Sequence, residues 1–377
     1  MKWKIPYIGF NRQFENLKEG YIREFKKVMK KGDFVLRNDV RKFEKNMSKF
    51  LKAKYVVSVN SCSDALLLSL GSLGLKKNSE VICVAHTYVA TLSAIVHVGL
   101  KPVLVDIGED YNIDVEKIEK HITKKTKVIL PVHLYGRSCN MDRVMQIAKK
   151  YNLIVVEDVA QSFGAKYKNK MAGTFGTAGC FSLHPIKSFG GAGDGGSITT
   201  NNKKIYEKIF RLRNHGQGKR KSKILEMQRY DIEHYGFCSR LDNLQAALLN
   251  IKFQSIRNFI KKRRKIASIY SSQLNNLPLK LPSRYINNKN FDVYNSYVIR
   301  TNKRKKLFEY LRRKKIEVLI YWPKPLYKHR GLKLGNKILP ESEKICKEII
   351  SLPIYPEMSM GEINFVVKSI KNFFNKN

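Results

Sequence analysis

The chain has 377 residues, with 72 lysines and arginines against 31 acidic residues, a net charge of +41. Apolar residues make up 43% of it, enough to bury a large core, which excludes global disorder. The longest apolar stretch, Ala85 to Leu100, is broken by His86, Thr87 and His97, and the six cysteines (62, 83, 139, 180, 238 and 346) form no C-x-x-C pair, which excludes a membrane span and argues against a zinc site or a disulfide scaffold. With no apolar secretory core near Met1, a soluble cytoplasmic protein is expected.

Between Tyr55 and Thr200, short apolar runs alternate with helical stretches, the pattern of a βαβ sheet. Residues Tyr55–Val59 predict a strand, and Ser61-Cys-Ser-Asp64 caps a helix from Ala65 to about Leu73. A strand at Glu80–Val84 leads to a helix from Thr87 to Val98. Strands follow at Pro102–Asp106, Lys127–Val132 and Leu153–Asp158, with a helix over Asp142–Tyr151 between the last two. Gly179–Leu183 and Gly196–Thr200 flank a glycine-rich loop. Runs apolar on both faces suit a mostly parallel central sheet lying between helices, an α/β fold. Helical periodicity then runs from Leu241 to Leu274. Beyond Pro282 the pattern is α+β: a strand at Ser296–Arg300, helices near Lys305–Lys315 and Pro340–Ile350, and a terminal helix from Met360. The simplest division is a large domain over residues 1–250, with an N-terminal arm, and a smaller C-terminal domain over 251–377.

The basic runs at Lys219-Arg220-Lys221, Lys261–Lys265, Lys303–Lys306 and Arg312–Lys315 first suggest nucleic acid. No helix-turn-helix, RNP aromatic pair or zinc-finger spacing accompanies them. A solvated surface in a chain also rich in Asn and Ile accounts for them better, and its positive field favours capture of an anionic substrate.

Three stretches point to chemistry. In Asn60-Ser-Cys-Ser-Asp-Ala-Leu66 a strand end turns into a helix start, where free N–H groups and the Ser63 hydroxyl suit a phosphate; an ordinary helix cap is the plainer alternative. In Val155-Val-Glu-Asp-Val-Ala-Gln-Ser-Phe-Gly164 an acid ends a buried strand, where α/β folds place ligands, although a strand-ending Asp also caps helices. In Cys180-Phe-Ser-Leu-His-Pro-Ile-Lys-Ser-Phe-Gly-Gly-Ala-Gly-Asp-Gly-Gly196 a lysine lies among apolar and glycine residues, a poor sequence for an exposed hairpin tip. A phosphate turn, then the strand-end acid Asp158, then Lys187 is the layout of a pyridoxal phosphate enzyme of fold type I. The acid keeps the pyridine nitrogen protonated and the lysine holds the aldehyde.

With His86-Thr-Tyr-Val-Ala-Thr91, Pro131-Val-His-Leu-Tyr-Gly136, Arg211-Leu-Arg-Asn-His-Gly216, Gly236-Phe-Cys-Ser-Arg-Leu-Asp-Asn-Leu-Gln-Ala-Ala247 and Ser351-Leu-Pro-Ile-Tyr-Pro356, these stretches resemble the DegT/DnrJ/EryC1/StrS sugar aminotransferases over nearly the whole chain. The resemblance implies Lys187 as the Schiff-base lysine and proton shuttle, Asp158 as partner of the pyridinium and Gln161 as donor to the ring oxygen. It implies Tyr88 stacked on the ring, and Cys62 (through its backbone), Ser63 and Ser182 on the phosphate. In the family an Asn of the G-x-N-S-R stretch reaches the phosphate from the neighbouring subunit. Here that position is Cys238, a much poorer donor. The resemblance further implies a homodimer with shared active sites, L-glutamate as amino donor leaving as 2-oxoglutarate, a pyridoxamine phosphate form, and a nucleotide-diphosphate keto-sugar as acceptor. Pro131-Val-His-Leu-Tyr-Gly136, Ser182-Leu-His-Pro-Ile-Lys187 and Tyr321-Trp-Pro-Lys-Pro-Leu326 look closer to members acting on 3-keto sugars; the 4-keto branch is the alternative. Relatives that dehydrate a deoxysugar carry histidine in place of the lysine, so Lys187 favours transamination. A regulatory or nucleic-acid-binding protein on the same fold is the reading from a different class.

Overall fold

Five-residue apolar runs build the centre of the chain. The computed structural model describes residues 3–218, 231–282 and 289–375; the basic run at 219–221 lies outside them. The strands β1 (Tyr55–Val59), β2 (Glu80–Val84), β3 (Lys101–Val105), β4 (Thr126–Ile129), β5 (Ile154–Asp158), β8 (Ala178–Ser182) and β9 (Gly196–Thr200) form one sheet in the order β1-β9-β8-β5-β4-β2-β3. Two short strands, β6 (Lys166–Tyr167) and β7 (Lys170–Met171), join β10 (Asn290–Phe291) in a separate small sheet. Strands β3, β2, β4, β5 and β8 run parallel, and β9 is antiparallel to both β8 and β1. Strands β2, β8 and β9 are buried along their whole length, because helices cover both faces. This topology brings the carboxyl ends of β1, β2, β4, β5 and β8, and the first residue of β9, to one edge of the sheet.

The helices α3 (Cys62–Ser72), α4 (Val89–His97) and α5 (Met141–Lys150) lie close to the predicted spans, and α6 (Lys203–Leu212), after β9, had no counterpart among them. Before Tyr55 the sequence suggested only an arm; the chain there forms α1 (Phe10–Lys31) and α2 (Asn38–Leu51). In α2, Val40, Phe43, Met47 and Leu51 recur at helical spacing and are buried. The long helical stretch after Leu241 is two helices, α7 (Asn243–Phe253) and α8 (Ile256–Leu274). Helix α2 docks on α7 through hydrogen bonds from the backbone N–H of Asp39 to Asn243 Oδ1 (3.1 Å) and from Asn46 Nδ2 to Asn250 Oδ1 (2.9 Å).

A second apolar core gathers around the antiparallel pair β11 (Tyr297–Arg300) and β12 (Ile349–Leu352), with α9 (Arg304–Arg313) and α11 (Met360–Asn375). It contains Ile5 from the start of the chain and Ile266, Tyr270 and Leu274 from the second half of α8, whereas Ile256 and Ile260 of the first half belong to the core beneath the large sheet. The helix predicted through Ile350 stops at Glu348 as α10 (Pro340–Glu348). The β-branched Ile349 and Ile350 instead pair with Arg300 and Ile299, a tertiary contact that overrides the helical periodicity. Among the described residues no helix is long and apolar enough to cross a membrane.

Candidate active site

At the shared sheet edge, Ser61 leaves β1 in extended conformation and caps α3: its Oγ accepts from the Asp64 N–H (3.1 Å) and its carbonyl from the Ala65 N–H (3.0 Å). The first N–H groups of a helix have no acceptor within it, so those of Cys62 and Ser63 face outward at the positive end of the helix dipole. Gly196 of β9 crosses this turn so closely that a Cβ there would lie 2.3 Å from the Ser61 carbonyl oxygen, which only glycine avoids. Ser182, at the end of β8, is buried beside it; its Oγ accepts only a long 3.4 Å contact from the His184 N–H, so its proton remains for another acceptor. Together these groups form an anion seat.

Asp158 ends β5 and is 4% exposed. Its Oδ1 accepts from the Ala160 N–H (3.1 Å) and its Oδ2 from the Thr91 hydroxyl (2.9 Å), which itself meets Thr87 Oγ1 at 2.9 Å. Burial pushes the carboxyl above its usual range; the two hydrogen bonds and the Lys187 charge oppose this. An acid so placed, bonded only by neutral donors, gains from a cationic N–H presented from the cavity. Gln161 is oriented by the same edge: its Oε1 accepts from the Tyr135 N–H (2.9 Å), which turns Nε2 out as the free donor.

Lys187 follows β8 on a turn closed by its own N–H to the His184 carbonyl (2.9 Å) and by the Gly191 N–H to the Leu183 carbonyl (2.7 Å). Burial lowers its pKa from the ordinary lysine value, with Cys62 and Asp158 acting in the opposite sense. The Cys62 thiol is raised well above its ordinary value, mainly by burial, so it stays protonated. Cys62, Ser63, Asp158, Gln161, Ser182 and Lys187, with Tyr88 at the start of α4, line one cavity of about 460 Å³. Tyr88 is 60% exposed, an open-sided aromatic at the rim.

Cys238 is exposed and outside the cavity of its own chain; its backbone bridges to Asn214. Sequence reasoning passed over several wall residues, Tyr7 from the N-terminus and Asn295 and Ser296 from the C-terminal part; Tyr321 and Trp322, noted only for the likeness to 3-keto-sugar members, line the same wall. Thr91 ends the His86–Thr91 stretch, but nothing in that sequence ties it to Asp158. Behind Tyr321 and Trp322 lies a buried chain of partners. The Tyr135 hydroxyl donates to the Tyr321 carbonyl, His86 Nε2 meets that hydroxyl at 2.8 Å, and His86 Nδ1 meets Cys346 Sγ at 3.3 Å. Since Tyr135 has given its only proton to Tyr321, Nε2 carries the imidazole proton and Nδ1 accepts from the thiol. Burial holds His86 neutral, its pKa lowered to about 3. Trp322 packs edge-on against the ring.

A family model described as the DegT/DnrJ/EryC1/StrS aminotransferase family matches residues 15–371. A pleiotropic regulatory protein of Geobacillus stearothermophilus is 36% identical over 383 residues, covering 98% of each chain. The dTDP-3-amino-3,6-dideoxy-alpha-D-galactopyranose transaminase of Aneurinibacillus thermoaerophilus is 36% identical over 371 residues, covering 98% of this chain and 99% of its own. Among solved structures, S. venezuelae DesV in complex with a ketimine intermediate superposes with a TM-score of 0.92 at 31% identity, covering 99% of both chains.

Proposed function

Because the chain belongs to the DegT/DnrJ/EryC1/StrS aminotransferase family and is a pyridoxal-phosphate-dependent aminotransferase, we propose that it moves the amino group of L-glutamate to C3 of a dTDP-linked 3-keto-6-deoxyhexose. The observation that carries this reading is the convergence of Lys187, Asp158 and the start of α3 on one cavity. The relative named for a 3-amino-dideoxy sugar favours C3 and dTDP. Glutamate as the donor and a cytoplasmic site of action are part of the same proposal.

The residues present fit the cofactor. The anion seat at Cys62, Ser63 and Ser182 suits its phosphate, Gln161 Nε2 its ring oxygen, Asp158 its ring nitrogen and Tyr88 its open face. Bound pyridoxal phosphate supplies an aldehyde for the amine and a ring that takes up the electron pair released when a neighbouring C–H bond breaks. Asp158, aligned by Thr91, holds a proton on the ring nitrogen. The Lys187 amine, its basicity lowered by burial, takes the proton from the donor's α-carbon and returns one to the acceptor carbon. One cavity therefore serves both substrates in turn, a ping-pong sequence.

A second recess of about 520 Å³ opens beside Val89, the residue after Tyr88, and carries Lys324, Lys328 and Arg330; Lys328 is paired with Glu343 at 2.8 Å. Its positive charge suits the diphosphate of a nucleotide sugar. Tyr235 and Phe237, exposed next to Cys238, support burial against a second copy of the chain, from which Cys238 reaches the phosphate seat. If so, Cys238→Asn, which restores an amide donor, tightens pyridoxal phosphate about tenfold; unchanged affinity in a titration would remove Cys238 from the seat. The relative named as a pleiotropic regulatory protein favours a second role, but Lys187 and Asp158 facing one cavity favour catalysis. The deciding experiment supplies the purified enzyme with pyridoxal phosphate, glutamate, and either the 3-keto or the 4-keto dTDP-sugar, and weighs the product. Amination of the 4-keto substrate alone reassigns the carbon. No amination of either, together with salt-sensitive DNA binding, favours the regulatory reading.

A further inference from the structure

Lys252 is a lysine in the wrong place for a surface cation. It sits on α7, 1% exposed, among the largest fully buried side chains of the molecule. Its Nζ donates to the Gly190 carbonyl at 2.7 Å and to Gln13 Oε1 of α1 at 2.9 Å, two neutral acceptors rather than a carboxylate. Burial and the nearby Arg263 lower its pKa to about 7. A neutral amine keeps two N–H bonds, so both contacts persist in either protonation state. Such a group is costly to bury, and what it holds is the turn that carries Lys187.

The rest of α7 serves the same loop. Gln245, Leu249 and Lys252 lie on one helical face at four- and three-residue spacing. Gln245 Oε1 accepts from the Ala192 N–H at 3.0 Å, and Leu249 lies beside Gly191, where an added Cβ would meet its Cγ at 3.6 Å. From the other side, Asn295 Oδ1 accepts from the Ser188 N–H at 2.8 Å. Gly190 is pressed so close to the His184 carbonyl that a Cβ would lie 2.2 Å from its oxygen, and that same carbonyl accepts the Lys187 N–H. A displacement at Gly190 therefore passes through His184 to Lys187 without slack.

We propose that Lys252 is a positioning residue for the reaction: by holding the Gly190 carbonyl it sets the turn, and with it the direction in which the Lys187 amine enters the cavity. This rests on Lys187 being the reacting amine. Replacing the ammonium by a thioether in Lys252→Met leaves the Gly190 carbonyl without its donor.

The test is hydrogen exchange on the full chain, with and without pyridoxal phosphate, combined with borohydride capture of the cofactor on Lys187 read by peptide mass. Lys252→Met should speed exchange in the peptide 184–195 about tenfold while β2 exchanges as before, slow capture on Lys187 by a similar factor, and lower kcat with little change in the KM for glutamate. Lys252→Arg, which keeps a donor, should recover part of each. Exchange raised equally in β2 and the loop, or loop exchange and capture both unchanged, would overturn the proposal, the first by showing a merely structural role. Should Lys252→Met not fold, the unmodified chain decides: an Ala192 amide as slow as those of α7 supports the cradle, and one as fast as an exposed loop overturns it. A failure of the unmodified protein to capture the cofactor on Lys187 would remove Lys187 from the reaction, and the proposal with it, whatever exchange shows.

Discussion

Glu157 and Asp158 are neighbours on β5, both buried, on opposite faces of the sheet, and they live in different chemical worlds. Glu157 is saturated. Its Oε1 accepts from the N–H groups of Phe175 and Gly176, each at 2.8 Å, and its Oε2 from the Gly173 N–H at 2.8 Å and from His133 Nε2 at 3.0 Å. His133 Nδ1 accepts from the Cys139 N–H (2.9 Å), which leaves the ring proton on Nε2 for Glu157. Asp158 has two neutral donors and an open cavity in front of it. A fully bonded buried acid holds the fold together, whereas a partly bonded one facing a cavity is held ready for a ligand.

Exchanging each acid for its amide tests the contrast. Asp158→Asn should lower kcat about 10³-fold while the protein still folds and binds the cofactor, because the neutral amide no longer keeps the ring nitrogen protonated; steady-state kinetics beside a cofactor titration separate the two effects. A kcat within a few fold of the parent would make Asp158 another structural acid. Glu157→Gln should do the reverse. An amide NH₂ facing the Gly173 N–H and His133 Nε2 costs about 3 kcal/mol, read as a lower urea midpoint, with turnover per folded molecule unchanged.

Without cofactor the two amide substitutions should also differ in the sign of their effect on stability. Burial raises the Asp158 pKa above its ordinary 3.8, so the folded chain holds this proton to higher pH than the unfolded one. Its contribution is fully present below 3.8 and is lost as pH rises through the raised value. Asp158→Asn removes that loss, so the cofactor-free variant should gain stability relative to the parent between pH 4 and 7. A gap that does not widen with pH in denaturation at the two values would argue against the raised carboxyl. The smallest effect belongs to Thr91→Val, which removes one hydrogen bond to Asp158 Oδ2; a fall in kcat of about fivefold is expected, with folding intact.

The sequence marks Asp158 because it ends an apolar run, and Lys187 because it lies among apolar and glycine residues between two such runs, a poor sequence for an exposed hairpin tip. It marks Glu157 only as a strand residue, since the donors that saturate it come from a turn near Gly173 whose approach to β5 is tertiary. The same limit hid Thr91, Asn295 and Lys252: each acts on a partner far away in the chain, and only the fold supplies the meeting. Most helices and parallel strands could be placed from apolar spacing, but the insertion of β9 between β1 and β8 could not, because periodicity does not reveal which strand a run pairs with. Helices α1 and α2 went unread for a related reason: their apolar residues are interrupted by many lysines, and the stripe on α2 becomes intelligible only once it is seen buried against α7, whereas Phe10, Phe14, Ile22, Phe25 and Met29 of α1 stay exposed.

That docking sets a timetable for synthesis. Among the described residues β1 pairs only with β9, and the apolar face of α2 packs on α7 as well as on Val56, Phe163 and Phe189, so neither is fully covered until residues 196–253 have been made. At about 5–20 residues per second, the roughly 200 residues between α2 and the end of α7 take about 10–40 s to emerge. Throughout that interval Val40, Phe43, Met47 and Leu51 form an incompletely covered stripe on the nascent chain, a natural target for chaperones on the ribosome. Slowing translation between residues 60 and 250 should therefore lower the yield of soluble protein more than the same delay placed after residue 260.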